Sequence, residues 1–177
     1  MMKRSAADEA SVVRALVVVA AGQPEVVATV LQRACPSLAA LLGGLVTNPL
    51  DAKTPDQALA ALAQNPAVLA PLPRDPGHPL DDGRHWAAVL GAWRQPTVVV
   101  IPPDQLDSGM PAASTALLHQ LQVPCLGLVQ VGGRWDPARR RREGLPWLGC
   151  LDPDGGADEA NAALRELLRR RQSGLTV

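Results

Sequence analysis

The chain predicts an α/β fold, a doubly wound and mainly parallel six-stranded sheet, and its internal spacing points to two similar βαβαβ halves. Three observations carry this. Short apolar runs rich in Val and Leu recur six times. Helix-like segments lie between most of them, the alternation expected of a parallel sheet covered by helices on both faces. Landmark strings also return after about 80 residues: LVVV at 16–19 and TVVV at 97–100, Gly-Leu-Val at 44–46 and 127–128–129, Pro66 and Pro146. Self-similarity of this kind is sought first because it bears on architecture. Any doubly wound fold also repeats strand and helix, so part of the similarity comes free.

The first strand is ALVVVAA (15–21), a continuous apolar run suited to burial on both faces. The long segment from Pro24 to Leu42 predicts a helix with Pro24 in its first turn and a break or bend at Pro36. GGLVTN (43–48) is the second strand. TPDQALAALAQN predicts a helix with Thr54 as N-cap and Pro55 following, closing at Asn65 before Pro66. AVLAPL (67–72) is the third strand. The Pro/Asp/Gly-rich PRDPGHPLDDGR is a loop between the halves, followed by a short helix with Trp86, Val89, Leu90 and Trp93 on one face. TVVVIP (97–102) is the fourth strand, and a helix starting near Ser108 follows. PCLGLVQV (124–131) is the fifth strand. Asp136 caps a short helix ended by Gly144, and PWLGCL (146–151) is the sixth strand. The last helix carries Ala160, Ala163, Leu164, Leu167 and Leu168 as one apolar stripe, with acids at its start and arginines at its end, as the macrodipole favours. The expected organisation is one domain over 1–177, with half-repeats at 12–77 and 96–155, a connecting segment at 78–95 and a C-terminal helix at 156–172.

Composition narrows the function classes. The 177 residues hold 17 basic and 17 acidic side chains, so net charge gives no argument for nucleic acid or an anionic membrane. No apolar run approaches the roughly 20 residues of a membrane span, and MMKRSAADEASVVR lacks an adjacent apolar segment, so it reads as a frayed terminus rather than a signal peptide. There are four Trp but no Phe or Tyr, which leaves the core to Val, Leu, Ala and Ile. Cys35, Cys125 and Cys150 sit in apolar runs and predict buried free thiols in a reducing cytoplasm; no His neighbours them to form a nucleophile pair.

The stretch QPTVVVIPPDQLDSGMPAASTALLHQLQVPCLGLVQ, followed by REGLPWLGCLDPD, resembles the carboxyl-terminal half of the dethiobiotin synthetases and related P-loop carboxylate–amine ligases. Phosphotransacetylase amino-terminal domains are similar. The resemblance covers about 60 residues well and the first half more loosely. It implies a strand-end nucleotide site. A phosphate-gripping loop needs G-x-x-x-x-G-K-[ST], whereas the first strand here is followed by AAGQPEVVAT, with Gly22 but no second Gly, no Lys and no hydroxyl in place. Both lysines, Lys3 and Lys53, lie elsewhere, so no intact ATP–magnesium site is expected and the cofactor stays unknown. In the family, the Asn ending the strand that matches GLVTN meets the adenine edge. Asn48 stands at that place, with Pro49, Pro73 and Arg74 near it, while the second half has Val131 instead. Asn48 before Pro49 is equally ordinary turn chemistry.

In open parallel sheets, ligands sit beyond the carboxyl ends of the strands. The expected rim therefore gathers Asp104, Asp107, Ser108, Gly109, Gly132, Gly133, Arg134 and Asp136, with Ser108 and Gly109 presenting N–H groups to an anion and Arg134 supplying charge. No nucleophile–base pair can be named there. His78, His85 and His119 have no metal spacing. His85 with Asp81, Asp82 and Trp86 is either a small site or a capping cluster. Arg139 to Arg142 either hold phosphate or an acidic partner, or form a solvated helix face. Trp86, Trp93, Trp135 and Trp147 are candidate interface anchors, with core filling the alternative for Trp86 and Trp147. The functional expectation is a degenerate dethiobiotin synthetase-like protein that binds a protein partner, a second copy of itself or a small ligand. The alternative is an ATP-dependent enzyme of biotin biosynthesis with a non-standard site.

Overall fold

A computed structural model describes residues 14–155 and 158–175. The expected frayed terminus lies outside these residues, apart from Arg14. In chain order the elements are β1 (Leu16–Val19), α1 (Pro24–Leu42), β2 (Leu45–Val46), α2 (Pro55–Ala63), β3 (Val68–Pro71), α3 (Trp86–Ala92), β4 (Thr97–Ile101), a 3-10 turn (Pro103–Gln105), α4 (Met110–Gln120), β5 (Cys125–Val131), α5 (Pro137–Arg142), β6 (Trp147–Leu151) and α6 (Asp158–Ser173). All six strands are parallel, in the order β2-β3-β1-β4-β5-β6.

Every residue of β1 and β4 is buried. Alternation then divides the core in two. Leu16, Val18, Val98, Val100 and Val129 face α1 and α6, while Val17, Val19, Val99, Ile101 and Leu128 face the layer of α2, α3 and α4. Trp86 is the one aromatic ring fully inside, at 0% exposure, so it fills the core.

Several elements differ from the sequence expectations. Pro36 does not break α1, which runs unbroken for 19 residues. Pro36 is exposed, so the carbonyl that loses its helical partner lies on the solvent side and the buried stripe of Val27, Val30, Leu31, Ala34 and Leu38 continues past it. That helix, at mean hydropathy 1.3, also meets the length and composition of a membrane span, contrary to the expectation that no segment would. Here its apolar face covers the sheet. Thr54 stands at the N-cap of α2, but its hydroxyl donates to the Asp51 carboxylate (3.1 Å) instead of capping the helix. The apolar stripe of α6 narrows to Leu164 and Leu168; Ala160, Ala163 and Leu167 remain exposed.

The two halves are each βαβαβ but are wound differently. In the first, β3 inserts between β2 and β1; in the second, β4, β5 and β6 lie side by side in chain order. The repeated Gly-Leu-Val therefore has two fates. Leu45 and Val46 form a two-residue strand on the open edge, 74% and 41% exposed, whereas Leu128 and Val129 are buried in the interior.

Packing of α3 on α4 allows one test. A Cβ at Gly91 would collide with the Leu121 carbonyl. Gly91→Ala should destabilise by about 1–3 kcal/mol in urea unfolding, although the same change in an open helix stabilises it.

Candidate functional site

The chain leaves β1 toward β2 on one side of the sheet and leaves β4 toward β5 on the other. A crevice therefore opens between the carboxyl ends of β1 and β4, the place where such sheets bind ligands. In this protein its own side chains occupy that place. Gly22, at φ 116°, donates its N–H to Asp75 Oδ2 at 2.8 Å. The other oxygen of Asp75 accepts from the Gly77 N–H, also at 2.8 Å, which fixes the carboxylate. Gln105, from the turn after β4, reaches across and donates its Nε2 to the Ala21 carbonyl at 2.9 Å. A carboxylate thus sits on the backbone donor next to the α1 N-terminus, where an incoming phosphate would need to go. A cleft of about 450 Å³ lies alongside, bounded by Gln23, Arg74, Asp75 and His78.

The predicted rim residues do not form one constellation. Asp107 pairs with Arg139 of α5 at 2.5 Å. Ser108 Oγ donates to the Gln105 carbonyl (2.7 Å) and accepts from the Met110 N–H (3.1 Å), so it shapes the entry to α4. Gly109 is the N-cap residue of α4, and Asp104 is exposed on the 3-10 turn. Arg134 is exposed after β5; its carbonyl and that of Gly132 are held by Gln130 Nε2 at 3.2 and 2.9 Å. Asn48 is exposed beyond β2, three strands from β4 and hence roughly 14 Å away. Asp136 accepts the Arg139 N–H at 3.0 Å, an ordinary helix cap.

A second cleft, of about 410 Å³, opens at the carboxyl ends of β5 and β6. One wall is the Gly132–Gly133 pair, both left-handed with φ 74° and 73°. Cys150 Sγ lies 3.7 Å from the Gly132 carbonyl and 3.9 Å from that of Gly133. The floor includes Leu148 and Leu164, with Ala160 and Ala163 of α6 beside them. Asp152, Asp154 and Trp135 complete the rim, and Arg33 of α1 reaches over to Asp154 at 3.1 Å. Sequence reasoning assembled only the glycines of this group, because Arg33 and the β6–α6 residues meet it through tertiary packing. Among the described residues no His, Cys, Asp or Glu group could hold a metal ion.

The three cysteines are free, and only Cys35 is fully buried; Cys125 and Cys150 are half-buried, which corrects the expectation for those two. Burial pushes the Cys35 thiol up to about 12 and that of Cys125 to about 11, and it also raises Cys150. All three are poor nucleophiles as they stand.

The His85–Asp81–Asp82–Trp86 candidate does not form one cluster: His85 stands at the N-cap of α3 without a side-chain cap, Trp86 is in the core, and only Asp82 joins an ion-pair node. Arg84 joins Asp82 and Asp56, each at 2.7 Å, and Trp93 Nε1 donates to Asp56 at 2.8 Å. Trp93 is therefore a half-exposed strut between α2 and α3. The arginine run of α5 splits in the same manner. Arg140 is buried, stacked 4.9 Å over Trp147 and paired with Glu143 at 2.5 Å, while Arg139, Arg141 and Arg142 are exposed. Trp147 donates to the same Glu143 (2.7 Å) and meets the edge of Trp135, with centroids 6.3 Å apart.

Hydrogen bonds from Arg84 hold the Asp56 and Asp82 carboxyls below their usual 3.8, with Trp93 adding to the effect on Asp56. A depressed folded value stabilises the protein above the unfolded value and loses that contribution as pH falls through the folded one. Arg84→Ala should therefore lower the urea midpoint at pH 6, with the difference from wild type shrinking as pH drops below about 3.8. Equal differences at pH 6 and pH 2.5 would refute this. No protein-family model matches the chain and no curated protein matches it.

Proposed function

We propose that the chain is a binding protein built on the plan of the dethiobiotin synthetase-type P-loop proteins, with its nucleotide position given up. The observation that carries this reading is the Asp75 carboxylate on the Gly22 N–H, at the crevice between β1 and β4. A triphosphate entering there meets a fixed negative charge in place of the donors and lysine a phosphate loop provides. The half-buried amide of Gln105, donating to the Ala21 carbonyl, spans the same crevice from the other side.

The test is a thermal shift with magnesium and ATP. The expected result is an unchanged melting temperature up to millimolar nucleotide. Stabilisation growing with nucleotide concentration, about 2.7 kcal/mol at a hundredfold excess over Kd, would overturn the reading in favour of an ATP-dependent enzyme.

Partner binding extends the proposal to a second copy of the chain. Leu45 and Val46, exposed on the short open β2 edge, supply the apolar contact that we assign to a second copy about a two-fold axis. Light scattering behind a sizing column should give a mass that rises with loading concentration and returns to 18.6 kDa in Leu45→Asp. A monomeric mass for the wild type at every loading would remove the self-association part alone.

A further inference from the structure

We propose that the cleft at the carboxyl ends of β5 and β6 binds a small organic cation, a guanidinium or ammonium group carried on an apolar body. The inference rests on the reading of the chain as a binding protein and supplies the ligand class.

Shape and floor come first. About 410 Å³ falls within the range that holds a small molecule. The helical stripe of α6 does not finish its burial on the sheet. Leu164 and Leu168 are covered, whereas Ala160 and Ala163 stay exposed and look onto the cleft next to Leu148. Together Leu148, Ala160, Ala163 and Leu164 give the cleft an apolar floor for the body of a ligand.

The walls select the sign of the ligand. Three charged side chains line the cleft: Arg33, Asp152 and Asp154. Arg33 is already matched by Asp154 at 3.1 Å. Asp152 uses Oδ1 to accept the Asp154 N–H at 3.1 Å, and among the described residues it has no ion-pair partner. The cleft therefore carries one unmatched negative charge. Its remaining polar wall is the Gly132–Gly133 backbone; the Gly132 carbonyl already accepts from Gln130 Nε2 at 2.9 Å and lies 3.7 Å from Cys150 Sγ, and the Gly133 carbonyl lies 3.9 Å from the same sulfur. Carboxylate and carbonyl acceptors suit a ligand that only donates, which describes guanidinium and ammonium groups. Trp135 adds an aromatic surface, the side chain most favourable to a cation, and its T-shaped contact with Trp147 holds the ring in place.

Benzamidine is the probe, compared with neutral benzamide and anionic benzoate of nearly the same shape. Calorimetry and tryptophan fluorescence follow binding to the intact chain. Benzamidine should bind saturably, benzamide at least about tenfold more weakly, and benzoate not at all, since a hydrogen bond to a charged group is stronger than one between neutral groups. Asp152→Asn keeps the Oδ1 acceptor and removes the charge, and it should weaken benzamidine about tenfold with the melting temperature unchanged. Ala163→Phe fills the cleft without altering charge and should abolish binding. Equal affinity for benzamide and benzamidine, undiminished binding by Asp152→Asn, or no saturable binding of benzamidine would each overturn the proposal. Any of these results beside an ATP-silent melting curve would remove the ligand class and leave the wider binding reading intact.

Discussion

The pairing of β1 with β4 is the constraint on which the molecule is organised. Val17, Val18 and Val19 lie against Thr97, Val98 and Val99, and both strands are buried on both faces. With no Phe or Tyr available, burial at this seam comes from branched aliphatic side chains that fit a pleated surface on either side. Everything else is placed relative to it. One face accepts α1 across nearly the whole sheet, the other accepts three shorter helices, and the crevice beyond the seam becomes the natural ligand position.

That natural position is spent on internal contacts. Asp75 and Gln105 tie the loops after β3 and β4 to the turn after β1, so the centre of the rim is stitched together by the protein itself. Open volume remains beside that stitching, at Gln23, Arg74 and His78, and a second cleft lies to one side, over β5 and β6, where the sheet reaches its edge and α6 covers it incompletely. The chemistry follows this displacement. A phosphate-binding crevice presents backbone donors, whereas the lateral cleft presents carboxylates, carbonyls and an aromatic ring.

Much of this fold was legible because its signals are local. A fully buried parallel strand must be a continuous apolar run, and ALVVVAA and TVVVI each read as one. The order of strands was not legible. Gly-Leu-Val before β3 and Gly-Leu-Val within β5 are the same string, yet one forms a two-residue edge strand and the other an interior strand, because the neighbours that decide this lie far away in the chain. The spacing of landmarks described similar units and said nothing of how each is wound. The break read at Pro36 is absent for a related reason. Its cost depends on which side of α1 it occupies, and that is set by the tertiary packing of the opposite stripe. The contact that decides how the rim is used, Gly22 to Asp75, spans 53 positions, and no spacing rule connects them.

The placement of β1 also bears on how the chain reaches this state. Its partners on either side begin at Leu69 and Thr97, more than fifty and about eighty positions downstream. During synthesis this apolar strand emerges before both of its neighbours and waits for them. Until they arrive α1 is the nearest cover among the described residues, and a long apolar helix following directly on the strand is well suited to shield it from other nascent chains.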